Sequence, residues 1–295
     1  MEKEISVVKR RDRGRETLNI EKIHEMVEYA VEGISGVSSS QVEMNSGLQF
    51  FDNIESEQIQ NILIKSASDL ISLDSPNYQF VAARLLLFSV RKQVFPEWSK
   101  TGYPKLKDHV ETCAEAGVYD GGILKKYDDE EWEELNSYID HQRCYGFTYA
   151  GLRQIVDKYL VQDRSNGRVY ETPQYMYIMV ATTLFQDYPK DKRLDYVKRY
   201  YTATSKGKIN VPTPVLAGVR TPLRQFASCV LVDVDDTLDS IFTSDMAIGR
   251  YVAQRAGIGI NAGRIRGINS KIRGGEVQHT GVVPFLKKFE ATVRC

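Results

Sequence analysis

The sequence predicts an α+β chain, helical over roughly its first 210 residues and strand–helix–strand after them. Three observations predict this. Apolar residues recur at helical spacing from Ile23 to Ile34, from Ile59 to Ile71 and from Phe80 to Val90. A short alternating pattern over 5–18, interrupted by Asp12 and Gly14, reads as strand, turn and strand. A continuous apolar run, Cys229-Val230-Leu231-Val232, precedes an amphipathic segment and then Gly257-Ile258-Gly259-Ile260. With 295 residues, 42% of them hydrophobic, the chain is long enough for two or three domains with real cores.

Lysine plus arginine and aspartate plus glutamate each number 39, so no net charge draws the chain to nucleic acid or to a membrane surface. No apolar run approaches a membrane span, and Met-Glu-Lys-Glu does not read as a signal peptide. The four cysteines, Cys113, Cys144, Cys229 and Cys295, are far apart and contain no CxxC pair. That spacing argues against structural zinc and a disulfide scaffold, and places the chain in a reducing compartment. No metal site is expected.

Taken in order, the N-terminal hairpin carries Lys9 and Arg10 to Arg15 around its tip; taken alone, this is equally a solvated charged turn. Asn19 starts a helix whose inner face is Ile23, Met26, Val27, Ala30, Val31 and Ile34. Ser40-Gln41-Val42-Glu43 fits a capping box opening the next helix, and Ser56 is expected to cap a third helix running to Asp74-Ser75-Pro76. A fourth, from about Tyr78 to Val94, ends with Arg91 and Lys92. Pro96 and Pro104 mark a boundary. Beyond it, the acidic run from Asp128 to Glu134 reads as a helix start, where carboxylates suit the dipole. Tyr175 to Ala181 and the face of Leu194, Val197, Tyr200 and Tyr201 read as core helices.

The stretch from Thr213 to Arg273 holds the chemistry. Its lead-in, Pro212-Thr213-Pro214 and Gly218-Val219-Arg220-Thr221-Pro222, looks suited to phosphate. Cys229 is predicted on a buried strand; a lone cysteine there is more often packing than catalysis. Thr213 and Ser228 can bind a ligand or simply cap local backbone. Asp233, Asp235, Asp236 and Asp239 open the following helix. Alone, Asp233-Val234-Asp235-Asp236-Thr237-Leu238 looks like the first motif of haloacid-dehalogenase-like phosphatases, but too little sequence follows for the rest of that sheet. The glycines at 257, 259 and 263 are misplaced for a dinucleotide fingerprint. Arg264 and Lys271 read as a solvated basic loop, and His279 as structural.

Arg224 to Val232, Asp236 to Leu238, Ala256 to Arg266 and Ser270 to Glu276, in this order, resemble the first strand, helix and second strand of the catalytic barrel in the large subunit of class I ribonucleotide reductase. Val8-Lys9-Arg10 with Glu16 to Ile23 resembles the ATP-cone, the regulatory module of many such subunits. Asp140 to Arg143, Lys158 to Gln162 and Tyr196 to Arg199 resemble runs of the reductase helical domain. The resemblance thus implies an ATP-cone at 1–95, a helical domain at 96–212, and from 213 to 295 the first strands and helices of an incomplete ten-stranded α/β barrel.

The resemblance also implies roles. Cys229 would be one of two cysteines reducing the ribose, with Thr213, Ser228 and Gly257 on the substrate. Lys9, Glu16, Thr17, Leu18, Asn19, Ile20, Glu21, Lys22, Ser56 and Lys92 would form the overall-activity site for ATP or dATP. Ser56 stands where many relatives carry Thr and Gln60 where some carry His, which bears on inhibition by dATP. Asp236, Thr237, Leu238, Arg266 and Arg273 would form the specificity site for a dNTP effector, its magnesium carried in with the nucleotide. A diiron-tyrosyl radical would reside in a partner small subunit, thioredoxin or glutaredoxin would supply electrons, and a second copy would form the dimer. Chains of this family run roughly twice this length or more. The expectation is therefore a split subunit, phage-like or bacterial, completed by a C-terminal polypeptide and working in the cytoplasm, the host's if phage-encoded. A nucleotide-binding regulatory fragment without catalysis is the alternative.

Overall fold

Alternating residues and a glycine turn make the first element an antiparallel hairpin. In it β1 (Ser6–Val8) pairs with β2 (Arg15–Thr17), and Val7, opposite Glu16, faces the core. The structure, a computed structural model, describes residues 5–9, 14–47, 49–223, 225–254 and 256–294. Arg10 to Arg13, expected at the hairpin tip, and Arg224 and Cys295 lie outside the described residues. The chain divides into two compact units, Met1–Val211 with Val215–Pro222, and Pro212–Pro214 with Leu223–Cys295.

In the first unit Asn19 caps α1 (Ile20–Val31), its side chain accepting from the Lys22 N–H at 2.9 Å. The next helix, α2 (Ser39–Gly47), starts one residue before the expected capping serine. Ser40 is exposed inside it, and Glu43, instead of closing a box, accepts from His24 at 2.8 Å. A two-residue strand, β3 (Ile54–Glu55), joins β1 in parallel, Val8 opposite Glu55. The cap of α3 (Ser56–Asp69) is Glu55, in a reciprocal box with Gln58, so Ser56 is the first helical residue rather than the cap. This helix also ends before Leu70 and Ile71, which were expected on it. The long helix α4 (Tyr78–Val94) has the predicted bounds because its apolar residues leave only a narrow polar stripe.

After the short α5 (Trp98–Thr101) come α6 (Leu106–Glu115) and α7 (Asp129–Tyr138). The acidic run does start a helix, Asp128 and Glu131 forming a capping box. Glu131 is itself buried and accepts from Arg193 Nε at 2.7 Å. Helix α8 (Tyr149–Gln154) continues as a π-helical turn, and a small hairpin of β4 (Gln162–Asp163) and β5 (Arg168–Val169) leads to α9 (Pro173–Leu184) and α10 (Lys190–Ser205). One apolar core runs from Val7 through α1, α3 and α4 into α8 and α9; a second joins α6, α7, α9 and α10 around Trp132, Tyr175 and Tyr201. Among the described residues no helix is long and apolar enough to cross a membrane.

Helix α11 (Thr213–Gly218) follows. In the second unit β6 (Cys229–Asp233), α12 (Leu238–Ala253) and β7 (Gly257–Asn261) form a βαβ unit with the strands parallel and Cys229 opposite Gly257. A hairpin of β8 (Lys271–Ile272) and β9 (Val277–Gln278) precedes α13 (Val283–Arg294). Among the described residues only one face of the strand pair is backed: Val232, Ile258 and Ile260 pack on Ile241, Ile248 and Phe289 of α12 and α13. The other face carries Cys229 and Leu231, the latter 86% exposed. The predicted strand is present, but Cys229 is not buried in it. Periodicity marks a face that demands cover, and among the described residues β6 and β7 pair only with each other. An open two-stranded arc of this kind is an incomplete barrel.

Candidate functional site

Three groups of candidate residues are placed by these elements. The first surrounds Cys229. Parallel register sets Gly257 beside it, and the Gly257 N–H donates to the Ser228 carbonyl at 2.8 Å. A Cβ built on Gly257 would stand 3.6 Å from Cys229 Sγ and 3.3 Å from Ser228 O, so the missing side chain keeps the sulfur open on the uncovered face. Cys229, Ser228 and Gly257 are therefore neighbours. Thr213 is exposed at the start of α11, and among the described residues no hydrogen bond joins it to them. Cys113 and Cys144 differ sharply. Both are buried, and burial pushes their thiols up to about 12 and about 11, which leaves them protonated and inert.

The second group lies just past the C-terminal ends of β6 and β7. Asp236 holds Arg266 twice: the Arg266 backbone N–H donates to Oδ1 at 3.0 Å and Nε–H to Oδ2 at 2.7 Å. The backbone N–H, then the guanidinium, keeps the Asp236 carboxyl below its ordinary pKa. Thr237 caps α12 by accepting from the Ser240 N–H at 3.1 Å, and Leu238 is exposed beside it. Arg273 sits apart in the β8–β9 connection at φ +50°, with no hydrogen bond to this cluster among the described residues. Arg264 is not a free solvated cation. It pairs with Asp233 at 2.9 Å and Asp235 at 3.5 Å, the two carboxylates a phosphatase reading would have used. His279 is structural, accepting from the Gly281 N–H at 3.0 Å and stacking on Phe285.

The third group is on the N-terminal hairpin and its helices. Lys9 pairs with Glu16 at 3.1 Å across β1 and β2, with Thr17 exposed and Leu18 half-buried after it. Ser56 leaves β3 where Lys9 leaves β1, since Val8 and Glu55 are the last paired residues. Asn19, Ile20, Glu21 and Lys22 form the first turn of α1, and Lys92 the last turn of α4. The Lys22 and Lys92 ammoniums are exposed and unpaired among the described residues, the charge a polyphosphate needs. No hydrogen bond or ion pair ties Lys92 to the other members among those residues.

One residue read as available to phosphate is not. The Arg220 side chain is fully buried: Nε donates to Glu171 Oε2 at 2.8 Å, and Nη2 to Glu171 and the Tyr159 carbonyl. Glu171 also takes Tyr119 OH and the Val161 N–H. Nothing in the local sequence signals this pairing, because the partners are 49 residues apart.

Comparison with known proteins matches this order of parts. The description "ATP cone domain" fits residues 6–93, "Ribonucleotide reductase, all-alpha domain" residues 145–224, and "Ribonucleotide reductase, barrel domain" residues 227–295. The chain belongs to the ribonucleotide reductase large-subunit family. Similar relatives include the ribonucleoside-diphosphate reductase subunit alpha of Haemophilus influenzae, 50% identical over 294 residues, covering 100% of this chain and 38% of the relative. The corresponding subunit 1 alpha of Escherichia coli is 49% identical over 288 residues, covering 98% and 38%. The subunit alpha of Enterobacteria phage T4 is 44% identical over 274 residues, covering 93% and 36%. The chain thus spans little more than a third of the length of these reductase relatives.

Proposed function

We propose that the chain supplies the nucleotide-responsive part and first barrel strands of a ribonucleoside-diphosphate reductase, converting ribonucleoside diphosphates to 2'-deoxyribonucleoside diphosphates for DNA synthesis. The observation that carries this is Cys229 standing on the uncovered face of a parallel strand pair, beside Gly257, within a chain of reductase kinship. In the reaction two thiols close to a disulfide as the 2'-hydroxyl leaves as water, so one sulfur must reach the sugar and a second must reach the first. Cys229 is assigned the first of these roles, and the second thiol comes from polypeptide that completes the barrel. Thr213, Ser228 and Gly257 line the substrate. A small subunit supplies the radical when bound, thioredoxin or glutaredoxin re-reduces the disulfide, and a second copy pairs through the barrel helices.

On this reading 1–95, 96–212 and 213–295 are the activity, helical and barrel segments, and the protein works in the cytoplasm. Lys9, Glu16 to Lys22, Ser56 and Lys92 take ATP or dATP; Asp236 to Leu238, Arg266 and Arg273 take a dNTP. The test is reconstitution with a complementing C-terminal polypeptide and a small subunit, measuring deoxyribonucleoside diphosphate formed. Activity should appear only in the mixture and vanish in Cys229→Ser. An active chain on its own, or an undiminished serine variant, refutes the proposal. The match over 6–93 also favours a second reading, a nucleotide-binding regulatory fragment. That one predicts co-purification with a full-length subunit instead.

A further inference from the structure

In the effector reading the Asp236 carboxylate suits the sugar hydroxyl of the dNTP and the Arg266 guanidinium suits its phosphates, as if the two acted separately. Their geometry links them. Arg266 is gripped through its backbone N–H and through Nε, the donor nearest the chain. A guanidinium has five N–H donors in a planar fork, and holding Nε leaves the terminal Nη1–Nη2 edge for a second anion. Among the described residues only a long contact, 3.5 Å from Nη1 to the Lys271 carbonyl, touches that edge. The Asp236 oxygens, each accepting once among the described residues, retain lone pairs for a hydroxyl.

The segment bearing Arg266 is pinned a second time two residues earlier. Arg264 lies between Asp233 and Asp235, and Asn261 donates to Asp233 Oδ1 at 2.9 Å while accepting from the Gly263 N–H at 3.1 Å. Main chain and side chain are therefore both fixed where Arg266 emerges. Such prior fixing lowers the ordering cost of a bidentate phosphate contact.

We propose that Asp236 is a positioning residue for phosphate recognition: it aims the free edge of Arg266 at the effector's phosphates, so grip on the polyphosphate depends on the carboxylate assigned to the sugar. The inference rests on the effector reading and deepens it. It makes sugar and phosphate recognition one coupled unit instead of two additive ones.

The probe is inorganic tripolyphosphate, which has no sugar, titrated calorimetrically into the full chain beside a dNTP. If Asp236 served the sugar alone, Asp236→Asn would leave tripolyphosphate binding unchanged, or tighten it by removing a like charge. Positioning predicts the opposite sign, a loss of about fivefold to tenfold. Asp239→Asn, which removes a nearby exposed charge bonded to neither Arg264 nor Arg266 among the described residues, should cause no such loss. Arg266→Ala sets the background from other cationic sites. Arg266→Lys keeps the charge but lacks the fork; it should weaken binding as Asp236→Asn does, and serves if the latter misfolds. Unchanged or tighter tripolyphosphate binding by Asp236→Asn or Arg266→Lys, with Arg266→Ala weakened, overturns the positioning role alone. An Arg266→Ala chain that binds the dNTP and tripolyphosphate like wild type overturns the effector reading itself.

Discussion

At the scale of single residues the strongest constraint is the Glu171–Arg220 pair, whose side chains are both wholly inside the protein. Taking two charges out of water costs several kcal/mol each, and their mutual attraction offsets this only when geometry and extra hydrogen bonds are good. Here Tyr119, Val161, Tyr159 and Leu216 supply those bonds. Removing one partner strands the other. Arg220→Met should therefore cost about 3–5 kcal/mol in urea unfolding. The double variant Glu171→Leu/Arg220→Met should lose less than the sum of the single changes. Two histidines set a pH limit of a different kind. Burial lowers His109 and His141 from 6.5 to about 4. The unfolded chain takes up these protons near 6.5 and the native chain only near 4, so stability is intact above that upper value and falls between the two. The loss reaches up to about 3 kcal/mol per histidine. Urea midpoints should drop from pH 7 to 4.5, and less so in His109→Phe.

At the scale of elements, β6 and β7 shape the surroundings of Cys229 through what their side chains leave open. In native protein Cys229 should react with a small disulfide reagent while Cys113 and Cys144 wait for unfolding, a contrast readable by mass spectrometry of the labelled peptides. Gly257→Ala should slow labelling of Cys229 severalfold, because the new methyl sits against the sulfur. Much of this level was legible beforehand. The bounds of α4, the Asn19 cap and the β6–α12–β7 order follow from local periodicity and local hydrogen-bond chemistry. What depends on remote partners was not. Ser40 and Glu43 satisfy the capping pattern, yet His24 takes the glutamate. β3 is two residues long and exists only because β1 is beside it. Arg220 and Cys229 depart from their local sequence patterns for opposite reasons: one has a hidden carboxylate, and the other lacks the cover its strand pattern requests.

At the scale of the whole molecule, the cone segment shares one apolar core with α8 and α9, from Val7 to Val180 and Leu216. They should therefore melt as one cooperative transition, checked by calorimetry, with the barrel segment free to melt separately. That segment finishes its outside before its inside. α12 and α13 already bury Phe289 and Ile248, while Leu231 and Cys229 look out from the strands. Among the described residues these two neighbouring staves have two raw flanks, one on either hand. Whatever rounds this arc into a hoop must therefore begin at one flank and return to the other, and a lone strand added to either side would leave the ring unsealed.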